Sequence, residues 1–354
     1  PTPALDRVLK EADECLEKGP WTVVSKKLTP PSGYKHDYMS VGPYWWPDPK
    51  KRDGLPYIRR DGEVNPERMD YDNVGLARTA NNSLTLALAW YFTGDSDYAR
   101  HAAKLLRHWF LNPETRMNPN LNFGQAIPGR TEGRGIGIID SVCLIRAVDA
   151  ALILETSSSW SRDDAMELRE WFDRYLEWLQ NSPHGIDESK TKNNHATWYD
   201  AQVACFAIYA DKPDVARQVL STSAIGRVAS QIRADGSMPH ELARTKSWNY
   251  STMNLRGFFT LASLAEHVDV DLWNYQSESG GSIQRALDFL VPFATGQSVW
   301  KYQQISKFDG GKLATLLHDA SRVYGTAKYE NAIAKLGPRS DLSTDHIQLT
   351  RPME

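Results

Sequence analysis

The sequence predicts an all-α fold: antiparallel helix hairpins joined by long loops and closed into an α/α toroid, an incomplete barrel around a cleft. Three observations predict it. Apolar residues recur at helical spacing along almost the whole chain. Strand patterns are scarce, and only the short segments 55–59 and 238–250 could pair. The rhythm is helix, short loop, helix, with polar loops at alternate joints. The period is irregular, so an open solenoid satisfies the same pattern.

Length and composition narrow the class. The chain has 354 residues, 41% of them hydrophobic, enough for a sizeable core. Helical patterns run on without a clear linker, which predicts a single domain over 1–354. The net charge is −3 and no basic block is present, which argues against nucleic acid. No apolar run is long enough to span a bilayer. Cys15, Cys143 and Cys205 are widely spaced, with no CxxC pair, and read as buried free thiols. No HExxH or phosphate-loop pattern occurs and the histidines lack metal-ligand spacing, so neither metal nor cofactor is expected. The chain begins at Pro1, and with a leader already removed it is expected to be periplasmic or secreted.

In chain order, Leu5, Val8, Leu9, Ala12 and Leu16 predict a helix over 4–18, ended by Gly19-Pro20. Residues 20–70 lose helical periodicity and crowd prolines, glycines and aromatics, the composition of a functional loop or lid. Trp45 and Trp46 in it are candidate platforms for sugar rings, whose carbon–hydrogen faces are apolar. Leu84, Ala87, Leu88 and Tyr91 predict a helix over 73–92, on which Arg78, Asn81 and Asn82 share a face that points into a cleft or out to solvent. A helix over 96–110 follows, capped by Asp95 or Ser96. In the polar loop 111–134, Gln125, Arg130 and Arg134 are candidates to bind a sugar and its carboxylate. Helices are expected at 136–154 and 162–181, the second with Ser161 and Asp164 spaced as a capping box. Further helices are expected at 199–210, 212–221, 224–233, 252–268, 281–296, 309–324 and 326–336.

Two stretches carry the chemistry. The first is KNNHATWYD, Lys192 to Asp200, where two amides and an imidazole arrive together ahead of two large aromatics. The second is DGSMPHELARTKSWNY, Asp235 to Tyr250, which supplies Arg244 and Tyr250. Splitting a polyuronate by β-elimination needs three functions: neutralisation of the carboxylate, a base for the proton on the adjacent carbon, and an acid for the leaving oxygen. Asn194 can donate to carboxylate oxygens without adding a competing base. His195 can donate there or accept the proton, and Tyr250 can serve as acid, with Arg244 stabilising its phenolate. Where proton and leaving oxygen lie on the same side, as in mannuronate and glucuronate, one tyrosine can act as both base and acid. In guluronate they lie on opposite sides, and His195 and Tyr250 can divide the work. Asn193, Trp198, His240 and Trp248 are further candidates for substrate contact, His240 the weakest of them.

Two other classes compete. A glycoside hydrolase on a similar helical toroid would need two carboxylates flanking the bond; Asp72, Asp140, Asp200 and Glu241 are available, and no pair stands out. A non-catalytic carbohydrate-binding protein would not need the Asn194, His195, Arg244 and Tyr250 set.

At these residues the sequence resembles the alginate lyase superfamily of helical-toroid polysaccharide lyases. The resemblance rests on Asn193-Asn194-His195 with Trp198, on Asp235-Gly236-Ser237, Pro239, Glu241-Leu242, Arg244 and Tyr250, and on PYWWPDP at Pro43–Pro49. It implies metal-independent β-elimination on an anionic polysaccharide, alginate or glucuronan. Asn194 and His195 would neutralise the carboxylate, Tyr250 would be the acid, and Arg244 would assist it. The best-known alginate lyases of this fold commonly carry a histidine directly after the catalytic tyrosine. Here that position is Ser251, a departure that bears on the substrate more than on the reaction.

Overall fold

The computed structural model describes residues 2–337 and 342–351. Several of its helices start and stop at capping residues legible in the sequence. Helix α1 (Pro3–Leu16) runs up to the Gly19-Pro20 break. Helix α2 (Asp72–Thr93) is stopped by Gly94 at φ 74°, a left-handed conformation that costs glycine no Cβ clash. One residue on, the Asp95 carboxylate accepts from the Asp97 N–H and starts α3 (Ser96–Leu106). Helix α4 (Leu144–Leu154) follows, and then α5 (Arg162–Asn181), which opens on the expected capping box of Ser161 and Asp164. The remaining helices are α6 (Pro183–Ser189), α7 (Asn194–Tyr209), α8 (Pro213–Gln218), α9 (Ala224–Gln231), α10 (Pro239–Leu242), α11 (Ser247–Glu266), α12 (Ile283–Ala294), α13 (Ala314–Tyr324), α14 (Ala327–Leu336) and α15 (Leu342–Thr350).

Boundaries differ from the sequence expectation at instructive places. The helix expected over 96–110 ends in a π turn, Arg107–Leu111. The one expected over 136–154 opens as a 3-10 segment, Gly135–Cys143, because this stretch lies directly against other backbone: a Cβ on Gly137 would meet Gly124 backbone at 2.5 Å. Helices α7 and α11 begin five residues earlier than expected, at Asn194 and Ser247. The strand pattern suggested for 238–250 is not realised: the stretch forms α10 and the first turn of α11. Pro239 at the first helical position favours that outcome.

The chain divides into two compact units. The first comprises Leu9–Lys190 with Cys205–Lys212. Its core is aromatic: Trp171, Phe172 and Tyr175 of α5 meet Phe110 and Phe206 at ring separations of 4.8 to 5.9 Å. The proline-rich segment 20–70 is fastened to this unit by short strands and buried charge. Strand β1 (Met39–Val41) pairs in parallel with Phe123–Ala126, while β2 (Trp45–Trp46) pairs antiparallel with β3 (Ile58–Arg59). The Lys26 ammonium lies 2.9 Å from the Asp72 carboxylate with both side chains almost fully buried. Asp72 also accepts the Met39 N–H, which ties β1 to the start of α2. Asp140 collects Tyr38, Ser40 and Gln125.

The second unit comprises Pro1–Val8, Thr191–Ala204 and Pro213–Glu354. Helix α11 lies closely against the start of α7 here: a Cβ on Gly257 would meet the Thr197 methyl at 2.9 Å. The three cysteines are free, Cys15 and Cys205 buried and Cys143 half-buried.

Candidate active site

Helix α7 begins at the middle of the Asn-Asn-His triplet. The Asn193 side-chain oxygen accepts the His195 N–H, as an N-cap does. Its neighbour Asn194 takes the first helical position, where the backbone N–H has no partner within the helix. That partner is the Glu241 carboxylate, whose Oε1 accepts the Asn194 N–H at 2.7 Å. The Asn194 side-chain nitrogen donates to both Glu241 oxygens, at 3.0 and 2.9 Å. Two more side chains hold the turn. Arg227 bonds the Asp200 carboxylate and reaches the Thr191 carbonyl, and Gln231 donates to the Asn193 carbonyl.

The second stretch is shaped by its own turn. Gly236 adopts φ 84° and the Asp235 carboxylate accepts the Ser237 N–H, which closes the loop between Arg233 and Ser237. The chain then enters α10, which carries Glu241 fully buried and His240 exposed. Two residues past α10, Arg244 lays its guanidinium over the Tyr250 ring at 3.7 Å from the centroid. The segment between them is strapped from outside by residues 300–309. Thr245 accepts the Ile305 N–H, Ser247 bonds the Gln303 carbonyl, and Trp248 donates to the Asp309 carbonyl.

Glu241 is therefore where the two stretches meet. Burial pushes its carboxyl above the usual carboxylate range; the hydrogen bonds from Asn194 and the charges of Arg244 and His195 pull it back only in part. Asn194 thus bonds the Glu241 carboxylate, while the Arg244 N–H donates to the Glu241 carbonyl one turn on. His195 is half-buried on the first turn of α7, Asn193 and Arg244 are half-buried, Tyr250 is 9% exposed and Asn194 is 1% exposed. In the sequence Glu241 is one of four carboxylates open to a hydrolase and part of the motif behind the resemblance, but nothing in its local pattern announces a partner 47 residues away.

Other candidates behave differently. Trp248 is fully buried, edge-on to Trp300 and against Phe308, and Trp198 is 5% exposed with its N–H on the Met253 carbonyl. Both pack as core residues, which leaves little or no ring surface open to solvent. Ser251, directly after Tyr250, is also fully buried.

The remaining candidates lie in the other unit. Trp45 and Trp46 are half-buried and partnered by arginines: Arg130 and Arg134 lie 5.3 and 5.9 Å from the Trp45 ring, and Arg60 lies 5.1 Å from Trp46. Gln125, at φ 47°, is buried and spans Asp140 and Arg134 with its two amide ends. Arg130 is exposed and Arg134 half-buried. Arg78 is exposed beside Trp21, and Asn82 is half-buried.

Comparison with known proteins gives the family and the fold. A family model described as alginate lyase matches residues 22–300. The chain is 40% identical to an alginate lyase from Bacteroides ovatus; that crystal structure matches with a TM-score of 0.93 over 98% of this chain and 92% of the other. Two variants of alginate lyase A1-III complexed with tetrasaccharide are 18% identical and share the fold. Their TM-scores are 0.63 and 0.58, over 96% of this chain and 87% and 88% of theirs. No curated protein sequence matches at a significant level. The fold class is the all-α toroid that the helix rhythm implies, and neither the hydrolase nor the non-catalytic alternative is favoured. The chain belongs to the alginate lyase family and is a polysaccharide lyase.

Proposed function

We propose that this lyase cleaves alginate by metal-independent β-elimination, with glucuronan as a second polyuronate substrate. Asn194 and His195 neutralise the uronate carboxylate, which acidifies the proton on the adjacent carbon. Tyr250 protonates the leaving oxygen and, for mannuronate-like units, also removes the proton. Arg244 stabilises the phenolate that this requires. The observation that carries the reading is that the triplet at the head of α7 is bonded to Glu241, whose carbonyl accepts the N–H of the same Arg244 that stacks on Tyr250. A carboxylate that only accepts would repel a uronate, so the positive and donor groups around it are what suit the site to an anion.

The reading takes residues 1–354 as one catalytic domain, supported by a family match that runs through both units. Arg78, Asn82, Gln125, Arg130, Arg134, Trp45 and Trp46 are kept as candidate polyuronate contacts on their unit, Asn193 and His240 on theirs. Segment 20–70 is kept as a lid or wall. The location is periplasmic or secreted, where a polymeric anion is met; no helix among the described residues is long and apolar enough to cross a membrane.

The test is ultraviolet absorbance during incubation with polymannuronate, polyguluronate and glucuronan, with and without a chelator. A chelator-insensitive rise from the unsaturated uronate is expected on at least one polymer, and the ranking names the substrate. A flat trace on all three, with new reducing ends, would overturn elimination in favour of hydrolysis.

A further inference from the structure

We infer that Glu241 is a positioning residue: it sets which end of the Asn194 amide faces the substrate, and so makes Asn194 a donor. The inference rests on the elimination reading above. Its physical basis is the pair of contacts from one nitrogen to one carboxylate, at 3.0 and 2.9 Å. Seen from that nitrogen, the two oxygens of a carboxylate subtend only roughly 45°, whereas its two N–H bonds diverge by about 120°. One N–H therefore serves both oxygens, and the other is directed away from Glu241.

The opposite amide orientation is closed off. It would place the Asn194 carbonyl oxygen against an acceptor-only carboxylate in a buried site, with no donor between them. The backbone bond from the Asn194 N–H to the same carboxylate fixes the peptide as well, so the amide is held at both ends of its residue. The second N–H is the group offered to the uronate carboxylate. Its contribution grows as the proton leaves and charge builds on that carboxylate, so it belongs to the transition state more than to substrate binding.

Replacing Glu241 with glutamine keeps the size and the acceptor for the backbone N–H. It also presents an amide nitrogen to Asn194, which turns the Asn194 amide over and puts a carbonyl oxygen where the donor was. The experiment is a double-mutant cycle of Glu241→Gln with Asn194→Ala, read as kcat and KM on the preferred polymer, with Tyr250→Phe run in parallel. Glu241→Gln is expected to lower kcat by about 10²-fold, the scale of a misplaced catalytic contact, with KM nearly unchanged. In the Asn194→Ala background it should add little further loss, since residues acting as one unit are not additive. Equal losses in both backgrounds, or a Glu241→Gln variant at wild-type rate, would overturn the proposal and leave the elimination reading standing.

A second measurement needs no folded Glu241 variant. In the wild-type protein the Asn194 side-chain amide signals, identified by their disappearance in Asn194→Ala, should show one proton strongly protected from exchange with solvent, the one held by Glu241. Rapid exchange of both protons would overturn the proposal. This readout also stands if no polymer is cleaved, so the two ideas fail separately.

Discussion

The Arg244 guanidinium stacks on the Tyr250 ring at 3.7 Å from its centre, six residues along the chain and across the start of α11. A fixed cation against the ring favours phenolate over phenol, the state a tyrosine must visit if it is to act first as base and then as acid. Tyr250→Phe keeps the ring and the stack and removes only the hydroxyl. Turnover is expected to fall by about 10³-fold, within the range for loss of a general acid or base, while polymer binding by calorimetry stays near wild type. A variant with near wild-type rate would remove Tyr250 from its role.

Arg244→Lys should not restore function. A planar guanidinium stacks on a ring face, and an ammonium on a flexible stem does not hold that geometry. Both Arg244→Lys and Arg244→Ala are expected to lose about 10-fold or more in kcat, on the scale of one misplaced electrostatic contact. Initial rates on one polymer decide it, and a fully active lysine variant would mean that charge alone suffices.

His195→Ala should discriminate between polymers. In guluronate blocks the base and the acid approach from opposite sides, so loss of the imidazole removes one of two required groups. On the proposed mechanism Tyr250 supplies both steps in mannuronate blocks, and only part of the carboxylate neutralisation is lost. The rate ratio of mannuronate to guluronate substrate is therefore expected to rise in the variant; an unchanged ratio would assign His195 to neutralisation alone.

Two glycines are predicted to resist substitution. At Gly236 an alanine would combine φ 84° with a Cβ 2.0 Å from the Arg285 carbonyl oxygen, so Gly236→Ala should cost about 2 kcal/mol or more. At Gly257 the obstacle is the Thr197 methyl at 2.9 Å, and roughly 1–3 kcal/mol is expected as α11 is pushed off α7. Urea unfolding measures both.

Stability should fall as pH rises towards 6. Burial, opposed only in part by Arg227, lifts the Asp200 carboxyl from its ordinary 3.8 to about 6. Between those values the folded chain holds a proton that the unfolded chain has released, so unfolding becomes easier as pH rises through the window. Burial does the same to Asp72, also lifted to about 6 beside Lys26. Asp200→Asn should make the slope of stability against pH shallower there, read from thermal or urea melts. A steeper slope would reverse the sign of the assignment.

Much of the molecule is legible along the chain because its determinants are local. Helical spacing, Gly94 with Asp95, and the Ser161–Asp164 capping box mark helices that the structure keeps within a few residues. The two chemical stretches also stand out, since two amides and an imidazole arrive together ahead of two large aromatics. Other features depended on contacts between distant residues. Periodicity placed the start of α7 at residue 199, because the acceptor that lets it begin at Asn194 is Glu241, 47 positions on. Trp198 and Trp248 read as sugar platforms because a tryptophan beside polar residues looks the same in sequence whether its face meets solvent or Phe308. Residue type and short-range spacing thus determined the helices and the chemistry available. Only the tertiary fold decided which side chains are buried and which carboxylate receives the Asn194 N–H at the head of α7, because both are set by partners far away in the chain.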